Sequence, residues 1–181
     1  MDTNNGGIWK KLFEIFKGNK KFEWLVIDST YIKAHHYLCG ARGGNQAISK
    51  TKRGLNLKIH LVVNKYCMPI NFIVTGGSFI NCKKAIRLIK NINTKLVFTD
   101  HAYDINDTLP YLNQRNIKPV ISPKRNRLYQ ADYWQKLYCL SNVIENTFLA
   151  LKCWRGISAR YAKTIDAFVF SVFVCCVFIL F

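Results

Sequence analysis

Two short apolar segments of this chain end on an aspartate, and this repeated pattern constrains the fold more than any other feature of the sequence. Trp24–Asp28 (WLVID) and Lys95–Asp100 (KLVFTD) each predict a short buried strand. A lone aspartate at a strand's end is usually an Asx turn or the cap of a following helix. Because the pattern recurs, and because a third acid, Glu145, lies on an apolar helical stretch, we expect three carboxylates that could converge on one cation.

The charge balance narrows the class of partner. The 181 residues include 27 Lys and Arg against 10 Asp and Glu, which gives a formal net charge of +17. An excess this large in a domain-sized chain indicates binding to a polyanion, most often nucleic acid, with an anionic membrane surface as the alternative. Apolar residues make up 50% of the chain, and this share excludes a disordered protein.

The cysteines and histidines give no sign of a zinc site. The seven cysteines form no C-x-x-C pair, and no two of the four histidines have helical ligand spacing. We therefore expect free thiols in a reducing cytosol, and histidines that are ordinary loop or sheet residues.

The first half of the chain predicts a helix, a loop and antiparallel strands. Ile8–Phe16 has the spacing of an amphipathic helix, and residues 1–22 are expected to form a short N-terminal arm. Tyr31–Gly54 is polar and contains several glycines, which predicts a long surface loop. Leu55–Asn64 and Pro69–Thr75 predict two strands that form an antiparallel group with the first.

The second half predicts alternating helices and strands. In chain order these are a helix at Asn81–Asn91, the strand Lys95–Asp100, a helix at Asn106–Asn113 capped by Asn106 or Asp107, a strand at Ile117–Ser122, and helical stretches over Asp132–Tyr138 and Leu140–Trp154. This is the element order of a ribonuclease H-like domain. The predicted fold class is α/β, with a ribonuclease H-like mixed sheet of three antiparallel strands followed by α/β units, flanked by helices, over residues 23–181.

The apolar tail Ala167–Phe181 has two interpretations. It runs for fifteen residues, Ser171 included, against the roughly 20 that a helix needs to cross the hydrocarbon core of a bilayer. A buried terminal helix or strand packed on the sheet is therefore the favoured prediction. A membrane-anchoring tail is the alternative.

Basic residues outside the acids' segments are candidates for phosphate contacts. A basic turn directly after a predicted strand, and a basic cluster on the predicted loop, both suit contact with a DNA backbone, although ordinary solvated surface would look the same. On the C-terminal helix, Lys152 lies two turns from Glu145 on roughly the same side. The residues of the turn and of the loop cluster are Lys124, Arg125 and Arg127, and Lys52 and Arg53.

Set beside their neighbours, the three acids make the chain resemble a bacterial insertion-sequence transposase of the DDE class, over nearly everything from residue 24 to residue 181. The most specific match is a C-terminal signature of Tyr, Arg, Glu and Lys along one helix, in which Tyr138, Glu145 and Lys152 occupy the Tyr, Glu and Lys positions. Further matching pieces are IDST at 27–30, the run GGNQAISKTKRGLNLKIH at 43–60, TGG at 75–77 and KRNR at 124–127.

The resemblance implies a function, a cofactor and partners. It implies a catalytic domain that cleaves and joins DNA strands using two Mg²⁺ or Mn²⁺ ions, roughly 3.5–4 Å apart. Asp28 would bridge the ions, while Asp100 would bind one and Glu145 the other; Lys152 and Tyr138 would lie against the DNA. The partners implied are the element's terminal inverted repeats and target DNA, a DNA-binding half encoded upstream, and a second copy, in the bacterial cytoplasm near the nucleoid.

Departures from the family pattern keep other interpretations open. The Arg position of the signature is Ser141, and His101 and Ala102 follow Asp100 where the family commonly has Lys and Gly. Little of the family's N-terminal DNA-binding region precedes the first strand, so we expect the downstream half of a split or decayed transposase. The alternatives are an inert remnant that only binds DNA, a ribonuclease or resolvase on the same scaffold, and a basic membrane protein anchored by its tail.

Overall fold

Seven strands of the described chain form one mixed sheet with helices on both faces. The computed structural model describes residues 5–18, 21–40, 46–79, 82–99, 108–121 and 131–181, with the backbone alone at 131–141 and at several other positions beside the omitted segments. The strands are β1 (Phe22–Ala34), β2 (Ser49–Thr51), β3 (Gly54–Asn64), β4 (Pro69–Gly76), β5 (Thr94–Thr99), β6 (Lys118–Ile121) and β7 (Ala159–Arg160). The helices are α1 (Asn5–Lys17), α2 (Cys82–Ile89), α3 (Thr108–Gln114), α4 (Ala131–Cys153), α5 (Arg155–Ser158) and α6 (Ile165–Leu180), with a 3₁₀ helix at His36–Gly40.

The sheet has the predicted combination of antiparallel and parallel pairing. Its longer strands lie in the order β4, β3, β1, β5, β6. The pairs β1–β3 and β3–β4 are antiparallel, whereas β1–β5 and β5–β6 are parallel, with α2 and α3 in the connections. The order of three antiparallel strands followed by α/β units is confirmed. Short strands add to it at two places, where β2 pairs with β3 and β7 pairs with β1.

The first strand is longer than the sequence analysis predicted. It continues to Ala34, so Asp28 lies in the middle of a strand and not at its end. The pairing with β3 runs without a break from Leu25–Asn64 to Lys33–Asn56. Ile32 is fully buried, and its β-branched side chain suits the pleated sheet. Serine, threonine and tyrosine after Asp28 concealed this alternation.

The predicted loop at Tyr31–Gly54 is also wrong over most of its described part. It contains the end of β1, the 3₁₀ helix and β2, whose three residues pair with the start of β3. Residues 41–45 lie outside the described residues. Backbone pairing with β3 therefore extends the sheet into a segment that has almost no apolar signal of its own.

Alternation along β1 gives the sheet two separate cores. Val26 and Ile32 lie on the first face, in a core covered by α1, α4 and α6. Leu25 and Ile27 lie on the second face, in a core that includes side chains from α2 and α3. Burying each such side chain contributes about 1.5–3 kcal/mol, so a one-residue slip of β1 would be strongly unfavourable.

The two terminal helices pack together on the first face. Phe13 of α1 is 1% exposed and contacts the rings of Phe72 and Phe173. On α6, Phe168 and Val172 are fully buried, which confirms the prediction of a buried terminal helix. Among the helices of the described residues, none is both long and apolar enough to cross a membrane. The division into an arm at 1–22 and a catalytic domain at 23–181 stays a prediction.

The helix before the C-terminal signature is continuous with the helix that carries it. The sequence predicted two helical stretches, at Asp132–Tyr138 and Leu140–Trp154, whereas α4 runs unbroken from Ala131 to Cys153. The predicted helix at Asn106–Asn113 corresponds to α3, but its proposed capping residues lie outside the described residues.

The second glycine of the TGG sequence, Gly77, is required for a steric reason. A Cβ atom built on Gly77 would lie 1.6 Å from Oδ1 of Asn56, which is itself a buried residue of β3. The Asn56 amide donates to Oγ1 of Thr51 at 2.6 Å and so connects the β2–β3 turn to this point. Any larger residue at position 77 would displace Asn56.

Candidate functional site

The centre of β1 carries polar side chains on an otherwise apolar face. Val26 and Ile32 are buried in the first core, and by strand alternation Asp28 and Thr30 lie on the same face between them. Both polar residues are half-buried. Two adjacent polar positions in a core-facing strand are unfavourable for packing alone, and this marks them as a candidate site.

Asp28 accepts a local hydrogen bond that favours its charged form. The backbone N–H of Ser29 donates to Oδ1 of Asp28 at 2.6 Å. A hydrogen bond donated to a carboxylate stabilises the anion relative to the neutral acid. The side chain is therefore suited to act as an anionic oxygen ligand.

The parallel neighbour of β1 ends next to Asp28. Ile27 pairs with Thr99, the last residue of β5, and Asp100 follows Thr99 directly in the sequence. Asp100 itself lies outside the described residues. Beyond Ile27, the described pairing on this edge of β1 resumes at Lys33 with β7. Asp28 thus lies just after the part of β1 that pairs with β5 and before the part that pairs with β7.

Helix α4 is joined to β1 by a hydrogen bond on the face of Asp28. Nζ of Lys152 donates to Oγ1 of Thr30 at 2.6 Å. In the C-terminal half of α4, Ile144, Phe148 and Leu151 are buried in the first core, so the helix packs tightly enough to hold this bond. Partial burial lowers the pKa of the Lys152 ammonium below its ordinary value.

A second hydrogen bond gives the direction of α4 along β1. Oγ1 of Thr147 donates to the backbone carbonyl of Cys67 at 2.8 Å. Cys67 lies in the β3–β4 turn, just beyond Asn64, which pairs with Leu25. The helix therefore runs from the Leu25 level of β1 at Thr147 towards the Thr30 level at Lys152, in the same direction as the strand.

Glu145 is exposed to solvent on this helix. It precedes Lys152 by two helical turns, about 10.5 Å along the axis, and lies on roughly the same side. Asp28 precedes Thr30 by two residues, about 7 Å along the strand. Both acids therefore lie on the same side of the Lys152–Thr30 bond.

The remaining predicted site residues fall into two groups. Lys52 and Arg53 are exposed in the β2–β3 turn, at the end of the sheet where β1 finishes. The others cannot be placed, because Lys124, Arg125 and Arg127 lie outside the described residues, and Tyr138 is described by its backbone in α4 alone. Within the described part of the chain, no group of three His, Cys, Asp or Glu side chains could hold a metal ion.

A buried arginine at the far end of β1, opposite Ala34, was not predicted from the sequence. Arg160 is fully buried, and its guanidinium donates to the backbone carbonyls of Gln46, Ala162 and Lys163. The side chain of Gln46 in turn accepts from the backbone N–H of Ile165 at 2.8 Å, at the start of α6. No sequence pattern near Gln46 or Arg160 indicates this contact, because the two residues lie 114 positions apart in the chain.

A family model and a named bacterial protein both match most of this chain. The family model described as Transposase DDE domain matches residues 20–180. A protein of Brucella ovis, named as a transposase for insertion sequence element IS6501, is 30% identical over 130 residues, which are 69% of this chain and 98% of that protein.

Solved structures with a similar fold come from two kinds of assembly. A chain of the piggyBac transposase synaptic complex with hairpin DNA matches 98% of this chain and 51% of its own length, with 13% identity and a TM-score of 0.57. A chain of the simian T-cell lymphotropic virus intasome in complex with PP2A regulatory subunit B56 gamma matches 86% of this chain and 48% of its own length, with 14% identity and a TM-score of 0.50. The chain thus spans about half the length of these solved structures. Their likeness confirms the ribonuclease H-like fold.

Proposed function

Because the chain belongs to the transposase DDE domain family, we propose that it is a catalytic domain that cleaves DNA strands at the ends of an insertion sequence and joins them to target DNA. The observation that carries this proposal is the hydrogen bond from Lys152 to Thr30. It joins the helix of the C-terminal signature to the strand of the first acid, on the face of that acid.

The pairing of β1 with β5 supports a meeting of Asp28 and Asp100. Ile27 and Thr99, which directly precede these two acids, are register partners in parallel strands. Neighbouring strands lie about 4.8 Å apart, so a continuation of both strands by one residue would bring the two carboxylates together.

The direction of α4 supports Glu145 as the third acid. Since α4 runs in the same direction as β1, Glu145 and Asp28 lie on the same side of the hydrogen bond that joins the two elements. An exposed carboxylate at this position is accessible to an ion and to DNA without a conformational rearrangement of the core.

The donor set fits divalent metal ions. Carboxylate oxygens are hard ligands that suit Mg²⁺ and Mn²⁺, and the backbone N–H of Ser29 donates to Oδ1 of Asp28. We infer that Asp28, Asp100 and Glu145 together would hold these ions. When bound, such ions activate an oxygen nucleophile and neutralise charge on the departing 3′ oxygen.

The chain's own residues position the DNA in this proposal. Thr30 orients the Lys152 ammonium, whose other N–H groups can bind a phosphate close to the scissile bond. The exposed cations Lys52 and Arg53 would contact the backbone further along the duplex, together with Lys124, Arg125, Arg127 and Tyr138. The DNA partners would be the terminal inverted repeats and a target site, in the cytoplasm near the nucleoid, with a second copy or an upstream DNA-binding half completing the assembly.

Removing each acid tests the proposal. Asp28→Asn, Asp100→Asn and Glu145→Gln should each lower Mg²⁺-dependent nicking of duplex DNA that carries the flanking inverted repeats by at least about 10³-fold, because none of the substitutes supplies a carboxylate. Glu23→Gln is the matched control, since Glu23 is an exposed acid in a surface ion pair with Lys65 at 2.9 Å. Urea unfolding would verify that each variant is folded. Full activity in any one of the three variants would disprove the role of that acid.

A DNA-binding remnant without catalysis is the second candidate. Ser141 occupies the arginine position of the signature, so the cation that the family pattern places against DNA near Glu145 is missing. This absence favours the remnant. Calorimetry with Mn²⁺ separates the two. Uptake that disappears in Asp28→Asn supports the catalytic domain, whereas no uptake in the unsubstituted chain supports the remnant.

A further inference from the structure

Four aromatic rings form a cluster at the end of β1 that the proposed chemistry does not use. His35 lies 4.1 Å from His36, 4.8 Å from Tyr37 and 4.3 Å from Tyr161, measured between ring centroids. His36 and Tyr37 are 4.5 Å apart, and the interplanar angles of all these pairs lie between 30° and 39°. These residues are called the ring cluster below. The sequence predicts its two histidines as ordinary loop or sheet residues.

The ring cluster is rigidly mounted but faces solvent. Tyr37 is 70% exposed and Tyr161 is 39% exposed. Behind them, the backbone N–H of His35 donates to the carbonyl of Arg160 at 3.0 Å, and Leu38 is buried beneath the 3₁₀ helix. Single exposed rings are common on folded proteins, but adjacent rings at the surface form a contiguous patch, which indicates a binding site.

The surroundings of the ring cluster are cationic. Strands β1 and β2, the β2–β3 turn, α5 and the segment before α6 carry six exposed basic residues at this end of the sheet, and one acid, Asp166, lies in the first turn of α6. The basic residues are Lys33, Lys50, Lys52, Arg53, Arg155 and Lys163. Partial desolvation, together with the charges of His36 and Arg155, lowers the pKa of His35 and so favours a neutral ring. Aromatic rings amid cations suit a ligand that is both aromatic and anionic.

We propose that the ring cluster is a stacking platform for an unpaired nucleobase of DNA. This inference rests on the proposed function in one respect, namely that the anionic ligand is DNA. A base inside a duplex is covered on both faces by its neighbours, so exposed protein rings can stack only on a base that is unpaired or at a strand end. Such stacking is sequence-tolerant, because every base has an aromatic face.

The distance from the acids fits one continuous DNA strand. Ala34, which precedes the ring cluster, lies six residues beyond Asp28 on β1, about 20 Å along the strand. This corresponds to about six base-pair steps of duplex. Lys152 and Arg155 follow in the same direction on α4 and α5, so cations accompany the path from the acids to the rings.

Binding of a duplex with a single-stranded overhang tests the platform. With a fluorescent base analogue in the overhang, the full 181-residue chain should quench the analogue and bind the overhang duplex more tightly than a blunt one. Tyr37→Leu and Tyr161→Leu should each weaken overhang binding by about 5- to 150-fold while blunt-duplex binding changes less than twofold. Tyr37→Phe should retain both binding and quenching, because the ring and not the hydroxyl is required.

Tyr66→Leu provides the matched control. Tyr66 is a 66% exposed tyrosine beside a lysine in the β3–β4 turn, at the opposite end of the sheet, and its loss should change neither affinity. Equal weakening of blunt and overhang binding in Tyr37→Leu, or overhang binding unchanged in both leucine variants, would overturn the platform. If a leucine variant does not fold, an absence of quenching by the unsubstituted chain bound to the overhang duplex overturns it as well. Failure of the unsubstituted chain to bind either DNA would refute the proposed function instead.

Discussion

Two cations near the C-terminus, Lys152 and Arg160, are both withdrawn from water but differ in what surrounds them. In both cases desolvation lowers the pKa. The guanidinium of Arg160 is fully buried, and it donates to carbonyl groups of Gln46, Ala162 and Lys163. Within the described residues the ammonium of Lys152 donates to a single acceptor, Oγ1 of Thr30, and it is only half-buried.

The difference separates a structural cation from one that can bind a ligand. Arg160 has its planar donor groups directed at the chain's own backbone, so it joins β7, the segment before β2 and the start of α6. Lys152 has three N–H donors, and the bond to Thr30 occupies one of them. A desolvated ammonium with remaining donors is suited to a phosphate, whereas a buried guanidinium bonded to three backbone carbonyls is suited to holding the fold.

The largest effect is expected from Arg160→Met. The substitution leaves several buried carbonyls without a donor, so the free energy of unfolding should fall by at least about 3 kcal/mol. Urea denaturation measures this change. Arg160→Lys should restore only part of it, because an ammonium cannot reproduce the planar set of donors. An unchanged unfolding free energy in Arg160→Met would show that Arg160 does not stabilise the fold.

Lys152→Met should separate binding from stability. Methionine keeps the apolar stem, so the free energy of unfolding should change by less than about 1 kcal/mol. The slope of log affinity for duplex DNA against log salt should become shallower by about 0.9, which corresponds to one phosphate contact. Lys65→Met is the control. Because Lys65 is already paired with Glu23, this substitution should leave the salt slope unchanged. An equal slope for Lys152→Met and the unsubstituted chain would count against the phosphate contact.

The lowered pKa of Lys152 predicts a pH dependence with a defined sign. Between its folded pKa and the ordinary value of 10.5, the unfolded chain keeps the proton that the folded chain has lost. The unfolding free energy contributed by this group therefore rises with pH in that window, while its contribution to DNA affinity falls. Urea titrations of the unsubstituted chain and of Lys152→Met across the window measure the difference. Identical pH profiles would show that the ammonium is not desolvated.

The smallest effect concerns the helix that Arg160 holds in place. Burial raises the pKa of the Cys175 thiol to about 12 and also raises that of Cys176, whereas Cys153 is exposed. At pH 8 an alkylating reagent should therefore modify Cys153 and leave both α6 cysteines unmodified, as mass spectrometry would show. In Arg160→Met, Cys175 should become reactive if the arginine holds α6 on the sheet. Continued protection there would mean that the apolar face of α6 is sufficient.

The sequence predicted the elements whose side chains follow a clear period. The strands β3, β4 and β5 and the helix α2 lie within one or two residues of their predicted bounds, because apolar burial determines both the pattern and the structure. The end of β1 and the whole of β2 were missed, since their residues are polar and are held in the sheet by pairing with β3. Likewise, Thr30 and Arg160 gave no local signal of their partners, which lie 122 and 114 residues away in the chain.

The sequence by itself determined the charge of this protein, its α/β element order and its membership of the transposase DDE domain family, because composition, periodicity and motif spacing are properties of the chain alone. Only the tertiary structure decided that Lys152 contacts Thr30, that Asp28 lies within a strand, and that Arg160 is buried and bonded to three backbone carbonyls. These facts depend on which distant segments meet, and that is settled when the two cores on either face of β1 are packed together.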